Sequence, residues 1–258
     1  MVNHTHAYRQ PRQHPAGMSL LELLIAVTLS ILLLLGIVQI TSAAASSTRL
    51  QRNQAQLQEN ARLAVMIISR HVREAGFNPE PWLPKTDLSA LTDDNADDLP
   101  GGSDRLSVRN WSDLNCFDNR NPILDAQEKP AFHIREVIFD LNTSKNLTWQ
   151  CRYGPTPSEM VTQVRRQGLV ENVESFQLLY GEDTNQDRVI DRWVNAGQWG
   201  SPRQILGMRI GLLLVSEDEV TEKTSRQYRV LHTMSAARTD GRLRRVYEFA
   251  AAIRSRTG

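Results

Sequence analysis

From Leu23 to Thr48 the chain carries no charged side chain. Residues 20–40 read LLELLIAVTLSILLLLGIVQI, with nine Leu, four Ile and two Val around a single acid, Glu22. About 20 such residues cross a hydrocarbon core about 30 Å thick, so the run predicts a membrane helix. On an insertion scale its aliphatic residues contribute roughly −7 kcal/mol against roughly +3 for one acid near the centre, so Glu22 is tolerated. Past Thr48 the pattern turns amphipathic. Leu50, Leu57, Ala61, Ala64, Ile68, Val72 and Ala75 recur at helical spacing, with Arg, Gln and Glu on much of the remaining surface. Gly76, then Asn78-Pro79, is a stop signal. One helix is therefore predicted from about residue 19 to 75, roughly 85 Å long at 1.5 Å per residue. Its membrane half is residues 18–48, its amphipathic half residues 49–76.

Residues 78–104 are rich in Pro, Asp, Asn and Gly and read as a long loop with a solvated acidic cluster. Short runs with β-type patterning follow at Arg105–Trp111, Phe132–Leu141, Leu147–Tyr153, Val161–Arg166, Val170–Tyr180, Gln204–Val215, Gln227–Thr233 and Leu243–Ile253. The last places Leu243, Tyr247, Phe249, Ala251 and Ile253 on one side at period two. Strands and helices do not alternate, so a parallel sheet is not expected. The class is α+β: a long N-terminal helix packed on a mainly antiparallel sheet domain, residues 77–258.

Composition adds a constraint. The 258 residues hold 30 Lys plus Arg against 29 Asp plus Glu. This balance argues against a nucleic-acid protein built on a large basic field. The Arg238–Arg256 cluster reads as a solvated strand face with little aromatic interleaving, and no nucleic acid is expected. Residues 1–17 hold Arg9, Arg12, three His and no acid, which keeps this end cytoplasmic and sends the rest across the membrane.

Three readings of the N-terminus follow. A cleaved secretory signal would use Ala43-Ala44-Ala45 before Ser46, but its apolar region would be unusually long and would carry an acid. A plain uncleaved anchor would place Glu22 favourably in the first helical turn. The third reading comes from Ala16-Gly17-Met18-Ser19-Leu20-Leu21-Glu22-Leu23-Leu24, which resembles the class III leader of type IV pilins and secretion pseudopilins. The resemblance implies that a prepilin peptidase cuts after Gly17 and that Met18 becomes the methylated N-terminus, with Met in place of the commoner Phe. It makes residues 1–17 a leader and Glu22 an assembly residue. A carboxylate in an apolar environment needs a partner, and the free amine of a neighbouring Met18 would supply one. Without the leader the count becomes 28 basic against 29 acidic residues.

Cys116 and Cys151 lie on the translocated, oxidising side of this topology, where one disulfide is the economical reading and two free thiols the alternative. The segment GEDTNQDRVIDRWV sets Asp183, Asn185, Asp187 and Asp191 at loop positions 1, 3, 5 and 9, with the carbonyl of Val189 at position 7. Those are oxygen-ligand spacings for Ca²⁺. Arg188 stands where a calcium loop needs Gly, and Val194 where the bidentate Glu would be, so a site here would be weak, ~10⁻⁵ to 10⁻³ M. The alternative is a hydrophilic hairpin between Gln177–Tyr180 and Val189–Val194.

In order along the chain, ARLAVMIISRHVREAGF, VENVESFQLLYGEDTNQDRVIDRWVNA, ILGMRIGLLLVSEDEV and RRVYEFAAAIRSR are similar to PilW-type minor pilins. The resemblance implies a type IV pilin-like fold and a low-abundance subunit that helps initiate pilus assembly. It also implies a place in the inner membrane with the C-terminal domain in the periplasm, then in a pilus at the surface of a Gram-negative bacterium. Its partners would be other minor and major pilins, prepilin peptidase, inner-membrane lipid and the pilus assembly machinery. No cofactor is required and no catalytic constellation stands out. His71, His133 and His232 fall apart, on a predicted helix and two predicted strands, and GxSxG, phosphate-loop and CxxC motifs are missing. The protein is therefore not expected to be an enzyme. Two alternatives remain: a type II secretion pseudopilin, and a bitopic periplasmic calcium-binding or sensor protein.

Overall fold

A computed structural model describes residues 19–79, 88–99 and 102–257. The expected cut site, Gly17 and Met18, lies outside the described residues. The chain divides into two compact units between Thr48 and Arg49. Helix α1 runs unbroken from Leu20 to Glu74, and Gly76 ends it in the left-handed conformation, φ +68°. A side chain there is excluded on two counts. Its Cβ would be strained at this φ and would lie 2.9 Å from the Cβ of Ala90.

The second unit contains the amphipathic half of α1 and all the strands. Leu57, Ala61, Ala64, Ile68, Val72 and Ala75 of the predicted face are buried and Leu50 is partly so. The three alanines let the sheets approach the helix closely, while Leu57, Ile68 and Val72 supply large apolar burial, each about 1.5–3 kcal/mol. Asn53 is also buried on that face. Its amide donates to Asp218 Oδ2 at 3.0 Å and to the Arg49 carbonyl at 2.9 Å.

Among the described residues all the strand pairings are antiparallel. One sheet has the order β1 (Ala96–Leu99), β2 (Ser103–Ser112), β3 (His133–Leu141), β4 (Leu147–Gly154), β5 (Val161–Val170). A second has the order β11 (Arg242–Ala252), β8 (Ile205–Glu219), β6 (Val173–Glu182), β7 (Arg192–Val194). One core joins α1 to both sheets, with Phe139, Phe176, Leu178, Tyr180, Met208 and Ile210 at its centre. The chain ends in a single helical turn, α2 (Arg254–Thr257).

The observed strands correct the expectation in three places. The long loop predicted over 78–104 contains β1, and its Ala90 and Leu91 are buried. Asp104, within that segment, is buried too, so the acidic stretch is only partly solvated. The strand expected over Gln227–Thr233 is a small hairpin, β9 (Arg229–Val230) and β10 (Thr233–Met234), with His232 in its turn. This hairpin lies on the four-stranded sheet. Thr233 Oγ1 donates to Gln177 Oε1 at 2.9 Å, and a Cβ on Gly211 would come within 2.6 Å of Val230 Cγ1.

Three loops share one device. In 115–119, 125–129 and 142–146 the first residue (Asn115, Asp125, Asn142) accepts the fifth residue's N–H on its side chain and donates its own N–H to that residue's carbonyl. The fourth residue of each (Asp118, Glu128, Lys145) is left-handed. An Asx side chain thus replaces a turn of backbone bonding, without Gly.

Candidate functional site

The membrane-length part of α1 is bare. From Leu20 to Ile40 every large apolar side chain is about half exposed or more, and Leu20 reaches 83%. An exposed surface this apolar requires a non-aqueous environment or other helices. Five of its hydroxyls are satisfied within the helix. The hydroxyls of Thr28, Ser30, Thr41, Ser46 and Thr48 donate to carbonyls three or four residues back, at 2.7–3.0 Å. Glu22 sits in the first turn, the one charged side chain between Leu20 and Thr48. The residue type that an apolar phase least tolerates therefore stands in the first turn of the helix, at one end of the apolar run.

In the β domain, Cys116 and Cys151 form a disulfide across 35 residues. The bridge clamps the β2–β3 loop to β4 beside α1. Arg135 crosses the same junction, pairing with Glu74 at 2.9 Å and Asp118 at 3.3 Å, so helix end, sheet and clamped loop share one guanidinium. A cavity of about 220 Å³ next to the bridge is lined by Ile67, His71, Trp149 and Leu169 among others. Burial above all, then the charges of Arg135 and Arg70, push His71 down to about 3. It is therefore neutral at physiological pH and packs as an aromatic against Phe139, ring centroids 5.8 Å apart and planes tilted by 49°. His133 opens β3 and is lowered by burial.

Loop 183–191 leaves β6 as a dense turn. Asp183 is buried and accepts the N–H groups of Gln186, Asp187 and Arg188 at 2.6–3.2 Å. Arg188, at the position a calcium loop gives to Gly, takes the left-handed conformation Gly would take, φ +69°. Asn185 accepts from the N–H of Asp187 and donates to its carboxylate at 3.1 Å; Val189 N–H also donates to Asp187. Asp191 accepts the hydroxyl and N–H of Thr184, which hold its carboxyl below the usual range. The side chains of Asp183, Asp187 and Asp191 do not converge. Among the described residues, the three-acid group with oxygens within 4.8 Å of one another is Asp97, Asp98 and Asp104.

Asp104 belongs to a polar strut that sequence reasoning overlooked. Its oxygens accept the N–H groups of Asp98 at 3.1 Å and Leu178 at 2.7 Å, tying β1 and β2 to β6. Burial outweighs those bonds and, with the charges of Asp97 and Asp98, raises the carboxyl to about 7. A folded pKa above the unfolded 3.8 means the native state holds the extra proton between about pH 4 and 7. Stability from this group is full at low pH, falls as pH rises through that window, and is flat above it. The expected loss is on the order of 2 kcal/mol once partial solvation is allowed for. Urea unfolding of the full chain in mild detergent at pH 4.5, 6 and 8 checks this. Relative to Asp104→Asn the wild type loses stability across the series; parallel curves refute it.

Residues 142–255, from the β3–β4 turn into the last helix, match the family model described as Type IV Pilus-assembly protein W. No curated protein matches the chain. The match relates most of the β domain to proteins of type IV pilus assembly.

Proposed function

We propose that the protein is a minor pilin, a non-enzymatic structural subunit that helps initiate type IV pilus assembly. The observation that carries this is the single helix α1. Its first half is bare, apolar and armed with one carboxylate at its tip; its second half is the packed helix of a β domain whose sequence matches the pilus-assembly family. In this reading prepilin peptidase cuts between Gly17 and Met18 and Met18 is methylated. The β domain stands in the periplasm, and assembly moves the subunit from inner-membrane lipid into contact with other minor and major pilins. The residues of α1 from 18 to about 48 carry the packing, and Glu22 sets register. Intact mass and N-terminal sequencing test the reading. The expected start is N-methylated Met18 in cells with prepilin peptidase and Met1 in cells without it; a start at Met1 or Ser46 in both overturns it.

A smaller second reading concerns loop 183–191. We propose weak Ca²⁺ binding there, favoured by the left-handed Arg188 and by an Asp183 already folded inward on the loop's N–H groups. Asp187, Asn185 and Asp191 would have to turn toward the ion from their present partners, which sets the affinity low. Calorimetric titration of wild type and Asp187→Ala with calcium chloride is expected to give heat only in the wild type. Absence of heat in both ends the idea.

A further inference from the structure

Where α1 ends, a cleft of about 560 Å³ opens on the β domain. Its floor is aromatic. Phe77, just past the helix, and Phe132, just before β3, pack with ring centroids 6.5 Å apart and remain 47% and 39% exposed. Both are held by backbone: Trp111 N–H donates to the Phe77 carbonyl at 3.0 Å, and the strand that follows Phe132 is paired with β2 up to Ser112. Trp111 and Leu114 line the cleft beside them. Apolar side chains this open on ordered backbone contribute nothing to the core, and grouped aromatics of this kind mark interaction sites.

The charges around this floor are unequal. Four arginines line the cleft, Arg70, Arg73, Arg135 and Arg254, against two acids, Glu74 and Asp113. Arg70 and Arg135 are matched to Glu74 and Asp118. Arg73 and Arg254 have no carboxylate partner among the described residues, and both are exposed. Two open guanidiniums flanking an exposed aromatic pair suit a ligand that brings carboxylates and a large apolar side chain together. Arginine and aromatic residues are the side chains that most often dominate binding energy at protein interfaces.

We propose that this cleft docks an extended acidic segment of a partner protein. A large apolar side chain of that segment sits on Phe77 and Phe132, and its flanking carboxylates meet Arg73 and Arg254. The proposal rests on the chemistry of the cleft and holds whether or not the chain is a pilin.

Fluorescence anisotropy with the full chain in a neutral detergent tests it. The probes are a labelled twelve-residue peptide alternating glutamate and phenylalanine, a twin with glutamine for glutamate, and a twin with lysine. The acidic peptide is expected to bind roughly tenfold tighter than the glutamine twin, the equivalent of two exposed ion pairs, and to weaken as salt rises. Phe132→Ser should abolish binding. The pair Arg73→Glu and Arg254→Glu should reverse the preference toward the lysine twin, with an unchanged urea midpoint showing that the fold is intact. If Phe132→Ser unfolds the domain, the charge-reversal pair alone decides. Equal binding of all three peptides, binding to micelles without protein, or indifference to charge reversal overturns the proposal. So does self-association of the chain that Phe132→Ser removes, since that assigns the cleft to a second copy.

Discussion

Replacing both cysteines, Cys116→Ala with Cys151→Ala, is expected to lower the unfolding free energy of the full chain by about 3–4 kcal/mol. The bridge closes a loop of 35 residues, and the chain-entropy relation gives nearly 4 kcal/mol for a loop of that size. Native-state consequences add to this. Asp118, two residues from the bridge, holds Arg135 and Arg70 at the helix end, and an unclamped loop would withdraw it. Arg135 is buried, so its remaining partner, Glu74, would then neutralise it alone. Urea unfolding in detergent measures the loss, and for a domain of this size it corresponds to a fall in Tm of roughly 10 °C. Dithiothreitol should bring the wild type down to the double variant and leave that variant unmoved. A change under 1 kcal/mol would mean that the loop is held without the bridge.

That bridge was legible in the sequence because the topology expected from the N-terminal charges put both cysteines in an oxidising space. The packed face of α1 was legible because a period of 3.6 leaves few other arrangements for Leu57, Ala61, Ala64, Ile68 and Val72. Most strands could be read from runs of β-branched and aromatic residues between turn signals: β3, β4 and β11 start within one residue of expectation. The failures have physical causes. β1 is built from Ala-Asp-Asp-Leu, whose acids disfavour strand, and only its pairing to β2 makes it one. The β9–β10 turn rests on Leu231 at φ +52°, a residue that signals no turn, and is permitted because Leu231 N–H finds Glu248. Asn53 interrupts an apolar stripe and carries no mark of its partner, 165 residues away in sequence. In loop 183–191 the ligand-like spacing was visible, but the three N–H groups that Asp183 collects depend on backbone angles no spacing encodes.

Glu22→Val is expected to leave the protein in the membrane and remove it from the pilus. The substitution makes α1 more apolar over Leu20–Ile40, so insertion should be unimpaired or improved by about 2–3 kcal/mol. What it takes away is the one charged group on a surface otherwise made of interchangeable leucines and isoleucines. Such a surface packs in many registers of similar energy, because each axial slip exchanges one aliphatic contact for another. In the proposed assembly a carboxylate in the same surface would select among them, since one register would bring it to a neighbouring subunit's amine, and leaving it unpaired in a dry interior costs about 3–5 kcal/mol. That selection is worth more than a hundredfold at equilibrium, so a drop in the sheared pilus fraction of at least tenfold should be visible even with other contacts intact. Immunoblots of membrane and sheared fractions measure it, with Glu22→Asp retaining part of the wild-type level and Glu22→Gln behaving as Glu22→Val. Because N-terminal processing could itself respond to the substitution, the mature start at Met18 is checked in each variant. A correctly processed Glu22→Val subunit that enters the pilus at wild-type level would show that helix packing alone sets the register.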